Sequence, residues 1–170
     1  MFAVDFGAVQ VGSAAFRTLP SPARVVSISG VGFSAAASKG GVLVAYEPYE
    51  PGDTETGRLV IRIGSRVVHI PLRGHGIDTI APALSVTAPR AAGAGRTLVV
   101  RFIAADNDLV DACTLAVDGR RVARVSWPAT SLRWRVPAAL RGTIRIVVSA
   151  VDRAGNVASV ALTLRVQPKP

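Results

Sequence analysis

The chain has 170 residues, enough for one medium domain or two small ones, and 49% of them are apolar, which excludes a disordered, charge-dominated segment. The lone Cys113 excludes an internal disulfide framework, and no 18-residue apolar run is present to serve as a membrane helix. The formal net charge of +9 is uneven: residues 1 to 76 hold seven Lys/Arg against five Asp/Glu, residues 77 to 170 thirteen against six. A surplus of this kind attracts polyanions loosely, and salt weakens the attraction. No basic-then-apolar leader opens the chain, so no signal peptide is visible.

Apolar residues recur with period 2 along most of the chain, and no amphipathic helical stripe emerges. In the first half this predicts strands at 2–11, 14–19, 24–29, 41–46, 58–63 and 66–72. The clearest signal is "RLVIRIGSRVVHIPLRG", where Leu59, Ile61 and Ile63 share one face and Gly64-Ser65 turn the chain. Val68, Ile70 and Leu72 then resume that face. Pro71 lacks an N–H, which predicts an edge position or a strand end here. His69 is expected on a sheet face and His75 in a terminal turn.

The stretch "GHGIDTIAPALSV" reads as a boundary, with Gly74 and Gly76 ending one module and Pro82 opening the next. The expected units are residues 1–76 and 77–167. The second predicts seven strands, at 83–88, 97–105, 112–118, 120–126, 131–136, 142–151 and 156–166, the spacing of a small sandwich. Asp118-Gly119 is a two-residue hairpin signal, because such a turn needs positive φ. Trp134 alternates with Arg133 and Arg135 and is expected to face the core, with Trp127 the more exposed indole. Cys113 is expected as a small buried hydrophobe. In "GTIRIVVSAVD" the alternation predicts a central strand, and "DRAGN" at 152–156 a hairpin corner built by Asp152, Gly155 and Asn156. The expected fold class is therefore all-β, two tandem antiparallel immunoglobulin-like sandwiches.

Two family resemblances sharpen this. "D-x-x-A-P" at Asp78 to Pro82, "V-D-G" at Val117 to Gly119 and "A-x-D-x-A-G-N" at Ala150 to Asn156 resemble the bacterial immunoglobulin-like domains of secreted and surface proteins. The likeness covers about residues 77–167. It implies a seven-stranded spacer, stalk or adhesive module without chemistry of its own. The first half is similar to the sandwich domain of the abnormal-spindle and hydin type. "VDFGAVQVGS" at 4–13, "VGF" at 31–33, "VAYEPYEPGDTETGRLVI" at 44–61 and "HIPLRGHG" at 69–76 carry that likeness. Here Tyr46 stands where the family has Phe, and "LPSPARVVSI" replaces its N-x-G turn.

Chemistry-bearing residues are sparse. Asp106, Asn107, Asp108 and Asp111 form an oxygen-rich loop, with Asp78 and Asp152 expected near one end of the fold; the set suits a solvated turn or a Ca²⁺ clamp but lacks the spacing and closing Glu of a helix-loop-helix site. His69, His75 and Cys113 do not form a zinc signature. No G-x-S-x-G occurs, and Gly30 and Gly32 lack the helix and Lys of a phosphate loop. No cofactor and no enzymatic activity are expected. Arg120, Arg121, Arg124, Arg133, Arg135 and Arg145, with Arg141 nearby, are the candidate polyanion surface. Arg121 or Arg145 is the expected opposite-strand neighbour of Arg133 and Arg135. No recognition helix or basic arm points to sequence-specific nucleic acid. The expectation is a structural or protein-interaction module, a spacer or adhesive segment of a larger extracellular or cell-surface protein. Its partner would be a protein or a cell-envelope polysaccharide. The alternative is a carbohydrate- or polyanion-binding accessory region of a secreted enzyme.

Overall fold

The alternation of apolar and polar residues is realised as fifteen β-strands in a computed structural model that describes residues 3–20, 22–52 and 54–168. The chain divides into two units, residues 1–79 and 80–170. Residue 2, where the first predicted strand begins, lies outside the described residues.

Unit 1 contains β1 (Val4–Gln10), β2 (Ala15–Pro20), β3 (Ala23–Ser29), β4 (Phe33–Ser38), β5 (Gly41–Tyr46), β6 (Thr54–Ile63) and β7 (Arg66–Ile77). One sheet has the order β1-β7-β6-β3 and the other β2-β5-β4. The predicted face of "RLVIRIGSRVVHIPL" points inward: Leu59, Ile61, Ile70 and Leu72 are buried with Val42, Val44 and Tyr46. Gly64 takes φ 61 at the head of the β6–β7 hairpin, a conformation open to glycine at little cost. β4 was not predicted, because "FSAAAS" has little intrinsic strand preference; its pairing with β5 from Phe33 to Ser38 decides the matter.

Two expectations change. β1 runs parallel to β7, so this sandwich is not wholly antiparallel. β7 is interior to its sheet from Leu72 onward, while Pro71 itself is unpaired on its second side among the described residues, in keeping with the edge position expected there. The reason Pro71 is tolerated lies in the register. β1 joins β7 only from Leu72 onward, so residues 66–71 pair with β6 alone among the described residues. The same late pairing with β1 extends β7 to Ile77 and draws His75 into the strand, opposite Ala8 and Thr54, instead of into a terminal turn.

Tyr46 occupies the centre of unit 1, fully buried, its ring 4.7 Å from that of Phe33 and 5.8 Å from that of Phe6. Its hydroxyl has no hydrogen-bond partner among the described residues. An unsatisfied buried hydroxyl costs about 1 to 3 kcal/mol, so Tyr46→Phe is expected to stabilise unit 1 by about 1 kcal/mol. Burial, with a smaller contribution from the charge of Glu55, raises the Tyr46 pKa above the ordinary 10.0. Below pH 10 its contribution is intact. As pH rises further, the unfolded chain loses this proton first and stability falls through the raised folded value. Denaturant midpoints at pH 8 and pH 11 check both points: the Phe variant should gain at pH 8 and lose less on going to pH 11. A Phe variant weaker at pH 8 would contradict the unsatisfied hydroxyl.

Unit 2 contains β8 (Ala83–Thr87), β9 (Ala91–Gly93), β10 (Thr97–Ala105), β11 (Val110–Val117), β12 (Arg120–Ser126), β13 (Ser131–Arg135), β14 (Gly142–Asp152) and β15 (Val157–Gln167). The sheets are β13-β10-β8 and β12-β11-β14-β15-β9. The short "AAG" strand β9, too brief to show a period, adds parallel to β15. β14 is central, as its alternation predicted. Asp118 and Gly119 take φ 45 and 85, the paired positive values of a type I′ hairpin. The core joins Leu98, Val100 and Leu132 of the smaller sheet to Leu115, Ile146 and Leu164 of the larger. Cys113 is buried in this core, which raises the pKa of its thiol. No helix among the described residues is long and apolar enough to cross a membrane.

Candidate functional site

The six candidate arginines of unit 2 are divided between its two sheets. Leu132 and Trp134 face the core, so Arg133 and Arg135 alternate to the outer face of the smaller sheet. β13 is an edge strand that pairs only with β10, placing Val99 opposite Arg133 and Thr97 opposite Arg135. The expected pairing with Arg121 or Arg145 is therefore incorrect, because both of those lie on strands of the other sheet. The real companion is Arg101, which alternates outward between buried Val100 and Phe102. It sits opposite Ser131 and Thr87. Its outward position is legible in the alternation of "TLVVRFIAA".

Arg145 lies between inward Ile144 and Ile146 and so faces out from the larger sheet. Arg124, opposite Thr114, faces the same way and pairs with Asp111 at 3.2 Å. Both partners are more than half exposed, so this pair contributes at most about 1 kcal/mol. Arg120 and Arg121 begin β12 and border a groove of ≈ 480 Å³ together with Val122, Trp134, Pro137 and Leu140. Trp134 is thus half-buried, packed on the core from one side and open to this groove on the other. Trp127 is the more exposed indole, at 50%. Arg141 is taken up locally, donating to the carbonyls of Ala138 and Leu140.

The remaining polar candidates serve the scaffold. Asp152 is 2% exposed; one carboxylate oxygen accepts the Asn156 backbone N–H at 2.8 Å and the other its side-chain amide at 2.9 Å. Asp106 accepts the Asp108 backbone N–H at 3.2 Å and brings a carboxylate oxygen within 4.8 Å of one from Asp152. Asp111 is engaged with Arg124. In unit 1, Asp78 is buried and accepts the Gln10 side-chain amide at 2.6 Å. His69 is exposed on the outer face of β7, opposite Val60, and His75 is half-buried further along the strand.

Set beside known structures, the chain is similar to the fibronectin(III)-like modules of CbhA from Clostridium thermocellum, with TM-score 0.50 and 16% identity over 97% of this chain and 91% of that one. Lower similarity is found with titin domains Z1Z2 in complex with telethonin, at TM-score 0.44 and 15% identity, covering 99% and 95% of the two chains. Tandem immunoglobulin repeats of Dlar align at TM-score 0.38 and 18% identity over 99% and 96%. No protein-family model and no curated protein matches the sequence. Together with the sheet order, the first likeness assigns the chain to the all-β proteins with tandem immunoglobulin-like or fibronectin-III-like sandwiches.

Proposed function

We propose that the chain is a non-catalytic spacer or adhesive module of a larger extracellular or cell-surface protein, binding a protein partner. The observation that carries this reading is the dispersal of its reactive side chains. Arg133 and Arg135 occupy one sheet's outer face, Arg124 and Arg145 the other's, and Asp152 is committed to its own hairpin corner. Catalysis requires such groups to meet within hydrogen-bond reach of one another. The family assignments suggested by sequence belong to the same proposal. An abnormal-spindle/hydin-type identity for unit 1 is supported by Tyr46, which fills an aromatic core position beneath the closing Gly74. A bacterial immunoglobulin-like identity for unit 2 is supported by the hairpin turns at 118–119 and 152–156.

The polyanion reading makes a different prediction. Heparin titrated into the chain at 50 and 300 mM salt, with charge reversal of Arg133 and Arg135 or of Arg124 and Arg145, separates the two. On the spacer reading each double variant lowers the low-salt affinity only a few-fold, and binding is largely lost by about 0.3 M salt in every case. Micromolar binding that survives 300 mM salt and vanishes in one double variant would replace the spacer with a dedicated polyanion site.

A further inference from the structure

Unit 2 leaves an apolar groove open at the side of its sandwich. β12 is an edge of the larger sheet and β13 an edge of the smaller, and residues 127–130 join them at one end. The groove of ≈ 480 Å³ lies at the other end, between the first residues of β12 and the last of β13. Its volume falls within the range of about 300 to 1,000 Å³ usual for ligand pockets. All of its lining lies between Val117 and Leu140, in the interior of the chain and among described residues, so its openness follows from strand order alone.

The chemistry of the lining is narrow. Trp134 forms the floor, packed on the core from one side, with Val117, Val122 and Leu140 beside it. No Asp, Glu, Asn, Gln, Ser or Thr lines the groove, so the hydroxyl groups of a sugar would find few partners there. The polar groups present are guanidinium groups. Arg120 stands opposite buried Val117, which places it on the core-facing side of β12, toward the groove. Arg121 stands opposite Ala116, on the outer side, and borders the groove at its rim. Neither forms an ion pair with a described residue. Asp118, the nearest acid in sequence, accepts the Arg145 backbone N–H at 2.9 Å. Arg141 adds a third positive charge at this end, held by the Ala138 and Leu140 carbonyls. Trp and Arg are the residue types that dominate binding energy where they meet in a pocket that a partner can desolvate.

We propose that this groove binds an acidic segment of a partner protein through an apolar anchor. The anchor side chain covers the open face of Trp134, between Val122 and Leu140, and carboxylates flanking it pair with Arg120 and Arg121. The guanidinium fork matches a carboxylate in two-point contact. The segment docks by side chains and not as an added strand, because the edge of β12 is guarded by its arginines and by a bulge at Val122. The occupant is acidic because a basic segment would add like charge to a rim already positive. This names the partner class within the protein-interaction reading and rests on it. The heparin titration reverses arginines that do not line this groove, so the two tests succeed or fail separately.

The probe is a labelled peptide with a central Phe flanked on both sides by Asp and Glu. One control carries Ser for the Phe, another Lys for the acids. At about 0.15 M salt the first peptide should bind saturably, and each control about tenfold more weakly or worse. The indole N–H resonance of Trp134 should shift on titration while that of Trp127, outside the groove, stays. Arg120→Glu with Arg121→Glu, both exposed, should abolish binding of the acidic peptide and turn the preference toward the Lys peptide. Arg101→Glu with Arg133→Glu makes the same change in net charge on the outer face of the smaller sheet, and should leave the affinity within about threefold. Equal loss in the two double variants would reduce the effect to general attraction by a basic surface and overturn the proposal. So would binding indifferent to removal of the Phe, or an unmoved Trp134 resonance. Displacement of the peptide by an equal concentration of heparin fragments would make the groove a polysaccharide site instead. A Trp134 shift that grows with protein concentration in the absence of peptide would make the occupant a second copy of this chain.

Discussion

Gly74→Ala destabilises unit 1 by about 3 kcal/mol, the upper end of what one added methyl does in a packed core. A Cβ at this position would overlap the Tyr46 ring, meeting Cε1, Cδ1 and Cζ at once. Neither side can yield. Gly74 lies in the interior strand β7, opposite Glu55 of β6 and flanked by residues paired to β1. Tyr46 is fully buried and held between Phe6 and Phe33. A unit of this size holds roughly 4 to 12 kcal/mol in total, so the loss is a large share of it. Detection is straightforward, because both tyrosines are in unit 1 and both tryptophans in unit 2. The tyrosine-detected urea transition should move down while the tryptophan-detected one stays. Tyr46→Leu clears the ring, so adding Gly74→Ala to that variant should cost under about 1 kcal/mol, a coupling of about 2 kcal/mol. Purely additive losses would show that the methyl is accommodated elsewhere.

This contact also shows where sequence stops being informative. "HIPLRGHG" was recognisable as a closing element, yet nothing in it says that Gly74 must lie against the ring of Tyr46, which is 28 residues away in the chain. Period 2 located strands reliably where one face carries a run of buried apolar residues, as in β6, β7 and β14. It failed for β4 and β9, where Ala, Ser and Gly supply no contrast and pairing alone fixes the backbone. The arginines illustrate a second limit. Alternation correctly turned Arg133 and Arg135 away from Trp134, but strand order decides which residues share a sheet, and order is set by long-range pairing. β13 joined β10, so Arg101 replaced Arg121 and Arg145 as neighbour.

Asn156→Ala costs unit 2 about 2 kcal/mol, although the residue touches no ligand and is half-buried at a hairpin corner. Asn156 donates its backbone N–H and side-chain amide to the two oxygens of Asp152, and its amide also approaches the Ile80 carbonyl at 3.4 Å. Asp152 is 2% exposed, so a donor lost there is not replaced by water. A hydrogen bond to a charged group contributes about 1.5 to 3 kcal/mol, which sets the scale. Asp152→Asn keeps one acceptor oxygen but sets an NH2 group against an Asn156 donor, so it loses the same side-chain bond and adds a donor–donor contact; it should cost at least as much as Asn156→Ala, about 2 to 3 kcal/mol. The backbone of the corner stays tied in both variants through the Asp152 N–H to the Asn156 carbonyl and the Arg153 N–H to the Leu109 carbonyl. Tryptophan-detected unfolding of the two variants measures the order directly. If Asp152→Asn proved clearly milder than Asn156→Ala, the bond between the two side chains would not be what holds the corner.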